Sequence, residues 1–168
     1  MLLPQIIHML QMLGLLALQV LFLNHICLFG YATPFVTVAF LLYFPLNASR
    51  SGLLVWAFSM GLLSDVFSNT PGIGAAAMTF AAMFRPFLLR VLVSKDVAEE
   101  MVPTYFSMGK WAHVRLVFGL LVLHHLVYFV LESFSTAHIM DVLLSFLGSL
   151  VLSMLVILII ERFRYSTK

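Results

Sequence analysis

Few residues of this chain could do chemistry, and they are spread thinly. Asp65 closes the stretch Gly61-Leu62-Leu63-Ser64-Asp65, and Pro71, Gly72 and Gly74 follow within ten residues. A carboxylate at the end of an apolar run can accept N–H groups from the turn or from the start of the next helix. That arrangement would lock a helical hairpin; the plainer reading is an acid at a membrane boundary. Arg85 lies in the next apolar run beside Pro86. At ~1.5 Å per helical residue it is about 15 Å from the level of Asp65, so it is expected to snorkel toward the cytoplasm rather than pair with it, the alternative being a specific partner within the bundle. His124 and His125 are adjacent, so in a helix they point about 100° apart and cannot readily chelate one metal. They read as neutral histidines bonded to neighbouring helices, although any intramembrane polar group is a functional candidate. His124, Tyr128 and Glu132 share one stripe at four-residue spacing. Ser145, Ser149 and Ser153 recur every four residues with Gly148 beside them, a small-residue face that lets a second helix approach closely. That neighbour is either a span of the same chain or the helix of a partner.

The chain carries no nucleophile–base set, no glycine-rich phosphate loop, no metal-ligand cluster and no nucleotide motif. Cys27 is the single cysteine. No intrachain disulfide is possible, and the thiol reads as a small hydrophobe. The sequence therefore predicts no enzymatic activity, no cofactor and no metal.

The elements that must position these residues follow from composition. Of 168 residues, 62% are hydrophobic and only 10% charged, with a net charge of +2 and a mean hydropathy of +1.09. A soluble domain is nearer 45–50% apolar and about 25% charged, which excludes a soluble enzyme, a nucleic-acid binder and a disordered tail. About 20 apolar residues are needed per span. Six spans are expected: 6–23, 34–45, 52–67, 73–93, 116–131 and 139–160. The second is short, too short for ~30 Å of hydrocarbon without tilt or thinning. The first lacks a basic residue before Arg50 and a small-residue cleavage site, so it reads as a retained span. The whole chain, 1–168, reads as one all-α membrane domain.

With six spans both termini share a side, and all nine Lys and Arg residues fall on it. By the positive-inside rule that side is cytoplasmic. Asp65, Glu132 and Asp141 then lie near the outer face. Within the chain, the cytoplasmic loop 94–115 mixes Met101, Tyr105, Phe106 and Trp111 with acids and Lys110. Such a mixture suits a segment lying in the interface, a docking surface for a cytoplasmic partner, or both.

The stretch Gly61 to Ser68, followed by Pro71-Gly72-Ile73-Gly74-Ala75-Ala76-Ala77, resembles the signature of the MreD family of rod shape-determining proteins. So do Asn24-His25, Phe29-Gly30-Tyr31-Ala32-Thr33-Pro34 and Arg85-Pro86. Family members often place a loop glycine eight positions after the aspartate; here glycines stand at seven and nine. The resemblance implies a non-enzymatic scaffold of the bacterial inner membrane that binds the bitopic protein MreC. It further implies an assembly with the MreB filament, a RodA-type glycan polymerase and a class B penicillin-binding protein. The family also resembles, in fold, the six-helix substrate-binding subunits of energy-coupling-factor vitamin transporters. That supplies an alternative function: a membrane-embedded vitamin-binding subunit, which needs polar side chains such as Asp65, Asn69, Glu132 and Asp141 to converge near the outer face.

Overall fold

The computed structural model describes residues 2–28, 30–93, 101–134 and 139–166. Five long helices form the bundle: α1 (Leu2–Leu21), α2 (Arg50–Ser68), α3 (Ile73–Leu92), α5 (Lys110–Ser133) and α6 (Ile139–Ser166). A four-residue helix, α4 (Tyr105–Met108), precedes α5. Among the described residues these five long helices are long and apolar enough to cross a membrane. The chain is thus an all-helical protein of multi-pass membrane type.

The expected second span, 34–45, does not form a spanning helix. In its place stand an extended stretch and a seven-residue 3-10 helix, Thr37–Tyr43. Pro34 lacks an N–H and disfavours the helical conformation of Thr33, which explains the extended entry. Every residue of Thr37–Tyr43 is buried, several of them completely. A segment that is apolar all round belongs inside a bundle, and this one packs against α1, α2, α3 and α5. It still runs the length of the core. Near its start Val36 bonds Gln19 of α1, and at its end Phe44 stacks on His8 of α1, with ring centroids 4.3 Å apart. Gln19 and His8 lie about 16 Å apart at ~1.5 Å per residue. Residues 36 to 44 cover that span at about 2 Å each, the 3-10 rise.

The elements therefore alternate in direction. At one end His8 meets Phe44 and Trp56, Arg85 bonds Phe44, and His113 meets Glu161. At the other, Asn24 bonds Ser68, Asp65 bonds Gly74, and Thr33 bonds Ser149. The first residues of α1 and the last of α6 share the former end. Every Lys and Arg in the long helices lies toward that end, and Asp65, Glu132 and Asp141 lie toward the other.

The last two spans are longer than the apolar runs that announced them. Lys110, Trp111 and Arg115 belong to α5, so the cytoplasmic loop expected at 94–115 ends before residue 110. Its first seven residues, 94–100, lie outside the described residues. α4 is closed by a capping box: Ser107 N–H donates to Thr104 Oγ1 at 3.1 Å, and Thr104 N–H donates to Ser107 Oγ at 2.8 Å. Phe106 and Trp111 are 81% and 74% exposed. Burial and the nearby Glu161 carboxylate raise the Tyr105 phenol above its ordinary pKa.

Candidate functional site

The first polar constellation is the α2–α3 hairpin. Asp65, 3% exposed, accepts N–H bonds from Gly74 (2.7 Å) and Ala75 (2.9 Å), and a hydroxyl bond from Thr70 (2.9 Å). A side chain of α2 thus caps the N-terminus of α3, where unpaired donors and the helix dipole favour an anion. Asn69 ends α2 in the left-handed conformation, and Gly72 begins α3 with φ of 86°. The two glycines at seven and nine positions after the aspartate have separate duties. Gly72 supplies the positive φ, and Gly74 leaves room for the carboxylate, since a Cβ there would stand 2.6 Å from Asp65 Oδ1. Gly61 sets the helix separation: its Cβ would stand 2.5 Å from the Gly74 carbonyl oxygen. Pro71 occupies the turn between the helices.

The second constellation surrounds segment 33–36, which leads into the 3-10 helix through Val36 in the helical conformation. Thr33 N–H donates to Ser149 Oγ at 3.0 Å, and Phe35 N–H donates to Ser153 Oγ at 2.8 Å. Val36 N–H donates to Gln19 Oε1 at 2.8 Å, while Gln19 Nε2 donates to the Pro34 carbonyl at 2.9 Å and to Asn24 Oδ1 at 2.8 Å. Pro34 has no N–H, so every backbone donor from 33 to 36 has a partner. This is the condition for irregular backbone at membrane depth.

The serine stripe of α6 is therefore not a groove for another helix, nor a partner interface. Ser149 and Ser153 are fully buried and hold an internal extended segment. Two extended residues advance about 6.6 Å and four helical residues about 6 Å, so alternate N–H groups meet successive stripe positions. Gly148 serves the same approach, because a Cβ there would lie 2.8 Å from Ala32 Cβ. Ser145 is half-buried and lines a cleft instead.

His125 joins this set. Its Nδ1 lies 2.9 Å from the Leu121 carbonyl and must donate to it; Nε2 then accepts from the Ser153 hydroxyl at 3.3 Å. His124 is buried with Nδ1 unpartnered, packed between Phe35 and Tyr128 at centroid distances of 5.7 and 5.9 Å. Among the described residues no three His, Cys, Asp or Glu side chains converge as metal ligands would.

Arg85 does not snorkel. It is 1% exposed and donates from Nη2 to the carbonyls of Phe44 (2.6 Å) and Pro45 (3.3 Å). These oxygens follow the 3-10 helix, whose last carbonyls need donors and attract a cation. A second buried pair escaped the sequence reading: His113 Nε2 meets Glu161 Oε2, both fully buried, with the Tyr105 ring 4.4 Å from the imidazole. Their signal was weak, because each stands near the polar margin of its span.

Between the ends of α2 and α5, the start of α6 and the loop after α1 lies a cleft of about 430 Å³. Its polar lining includes Asn24, Ser68, Tyr128, Glu132 and Ser145, and aromatic rings of Tyr31, Phe35, Phe67 and Phe129 form its walls. Of the four polar residues expected to converge at this end, only Glu132 reaches it. Asp65 is engaged by α3, while Asn69 and Asp141 are exposed.

Comparison of the chain with family models, curated proteins and solved structures finds no match.

Proposed function

We propose that this protein is a non-enzymatic scaffold of the bacterial inner membrane, similar to MreD, that binds a single-span MreC-like partner in the cell-elongation machinery. The observation that carries the reading is where the signature residues go. Gly61, Asp65 and Gly74 are consumed by one helix–helix contact, and Gly72 by the turn that leads into it. Their product is a fixed hairpin, which is a shape rather than a chemistry. Ser149, Ser153, Gln19 and Arg85 likewise hold backbone in place. The outer face of α6, with Leu147, Val151, Leu155 and Ile159 each about half exposed, offers a continuous ridge for a partner helix. With the basic end in the cytoplasm, both termini are cytoplasmic. An MreB filament, a RodA-type polymerase and a class B penicillin-binding protein complete the proposed assembly.

The test is purification from bacterial membranes in mild detergent, with cysteine cross-linking from position 155. Co-elution of, and cross-linking to, a single-span MreC-like protein is the expected result. Loss of rod shape on depletion should accompany it. If the tagged chain elutes without such a partner and depletion leaves shape intact, the reading fails.

The cleft favours a second reading, a membrane-embedded subunit that binds a small molecule such as a vitamin for an energy-coupling-factor-type transporter. Co-elution of a transporter ATPase module, with loss of vitamin uptake on depletion, would select it.

A further inference from the structure

The cleft's chemistry is more specific than its size. A volume of about 430 Å³ falls in the range of small-molecule sites, about 300–1,000 Å³. Glu132 is the one charged residue in its lining, and no Lys or Arg lines it among the described residues. Among those residues the Glu132 carboxylate has neither a hydrogen-bond nor an ion-pair partner. A half-buried carboxylate with no counter-charge attracts a cation. The lining also includes the aromatic residues Tyr31, Phe35, Phe67 and Phe129, the side-chain type beside which organic ammonium groups are held. Ser149 Oγ accepts from Thr33, which leaves its hydroxyl proton free to donate, and Ser145 adds a second hydroxyl.

We propose that this cleft binds a small ligand bearing one ammonium group, with Glu132 as its counter-ion and the aromatic walls around its apolar part. The inference rests on the cleft of the second reading and does not depend on transport. The ammonium could come from an aminolipid headgroup or from a soluble amine; the chemistry recognised is the same.

The full-length protein in nanodiscs of phosphatidylglycerol, which carry no ammonium, tests this. Binding is measured by calorimetry and thermal shift with ethanolamine, with choline, and with 3,3-dimethylbutanol, the uncharged isostere of choline. Phosphatidylethanolamine added to the nanodiscs forms a fourth arm. Either an amine or the aminolipid should bind, and the uncharged isostere should bind at least about tenfold more weakly than choline, as expected when the charge that attracts the carboxylate and the aromatic rings is removed. Saturation by phosphatidylethanolamine alone identifies a headgroup site, and saturation by ethanolamine or choline a soluble-amine site. Glu132→Gln should lower the affinity by a similar factor while the unliganded melting temperature is retained. If that variant does not fold, the charge selectivity of the unaltered protein decides alone. Equal binding of the isostere overturns the ammonium assignment while leaving a cleft ligand, and hence the second reading, intact. Binding in none of the four arms overturns the proposal.

Discussion

Replacing Ser153 by alanine separates two explanations of the serine stripe. If the stripe acts by shape, Ser153→Ala should be silent, because it removes one oxygen and keeps the Cβ. The structure gives the hydroxyl two bonds, from Phe35 N–H at 2.8 Å and to His125 Nε2 at 3.3 Å. His125 and Ser153 are fully buried, and Phe35 is half-buried. An orphaned buried polar group costs about 1–3 kcal/mol. Hydrogen bonds between membrane helices average only ~0.6 kcal/mol, because the loosened state finds other partners. Phe35 N–H has no such alternative, since it belongs to extended backbone that no helix hydrogen bond can satisfy. We expect Ser153→Ala to cost about 2 kcal/mol and Ser149→Ala, which orphans Thr33 N–H alone, about 1 kcal/mol. Ser145→Ala should stay within about 0.5 kcal/mol as the control. Unfolding titrations in mixed micelles, or steric trapping in bicelles, would measure these differences. If Ser153→Ala unfolds within about 0.5 kcal/mol of the unaltered protein while Ser153→Leu does not fold, shape alone holds the segment and the reasoning is refuted.

Three further outcomes follow from the same contacts. Gly61→Ala should lower folded protein in membranes sharply, because backbone atoms of Gly74 and Ala75 stand 2.5–2.7 Å from the added carbon; normal yield would show that the helices can part. Gly72→Val meets nothing within 4 Å, so its cost is the strain of φ at 86°, about 1–3 kcal/mol, read as a lowered melting temperature. His113→Leu strands the buried Glu161 and should cost about 3–5 kcal/mol, whereas the double variant with Glu161→Leu should recover much of that in a double-mutant cycle.

Long apolar runs made five of the helices legible, since an uninterrupted stretch near 20 residues has few alternatives. The Asp65 cap was one of two readings open in the sequence, because a carboxylate before a turn rich in glycine and proline can cap the next helix or simply mark a membrane boundary. The crossing at 34–45 was not. Hydropathy reports burial in any conformation, and a segment enclosed by protein needs neither helical length nor helical hydrogen bonds. Arg85 was misread for the same reason. Snorkelling assumes that water is the nearest acceptor, and the carbonyls of Phe44 and Pro45 become acceptors only once the 3-10 helix ends beside it. Gln19 did leave a trace, one of two amides with Gln11 in the apolar span 6–23, but nothing local says that its partners lie 15 and 17 residues on.

The serine stripe shows what such a reading needs in addition. Four-residue spacing of small residues fits two neighbours equally well at the level of geometry. A helix uses the groove and ignores the hydroxyls; an extended strand uses the hydroxyls at every second residue. The two cases differ in what else the chain must satisfy. A helix brings its own hydrogen bonds, so it calls for no donors or acceptors from its neighbours. Thr33-Pro34-Phe35-Val36 cannot be helical at its start, and it carries three N–H groups into the core. Three side-chain acceptors in apolar spans, Gln19, Ser149 and Ser153, match those three donors one for one. Unpaired backbone donors at a proline, met by these side chains, distinguish the non-helical segment from a helix where spacing alone does not.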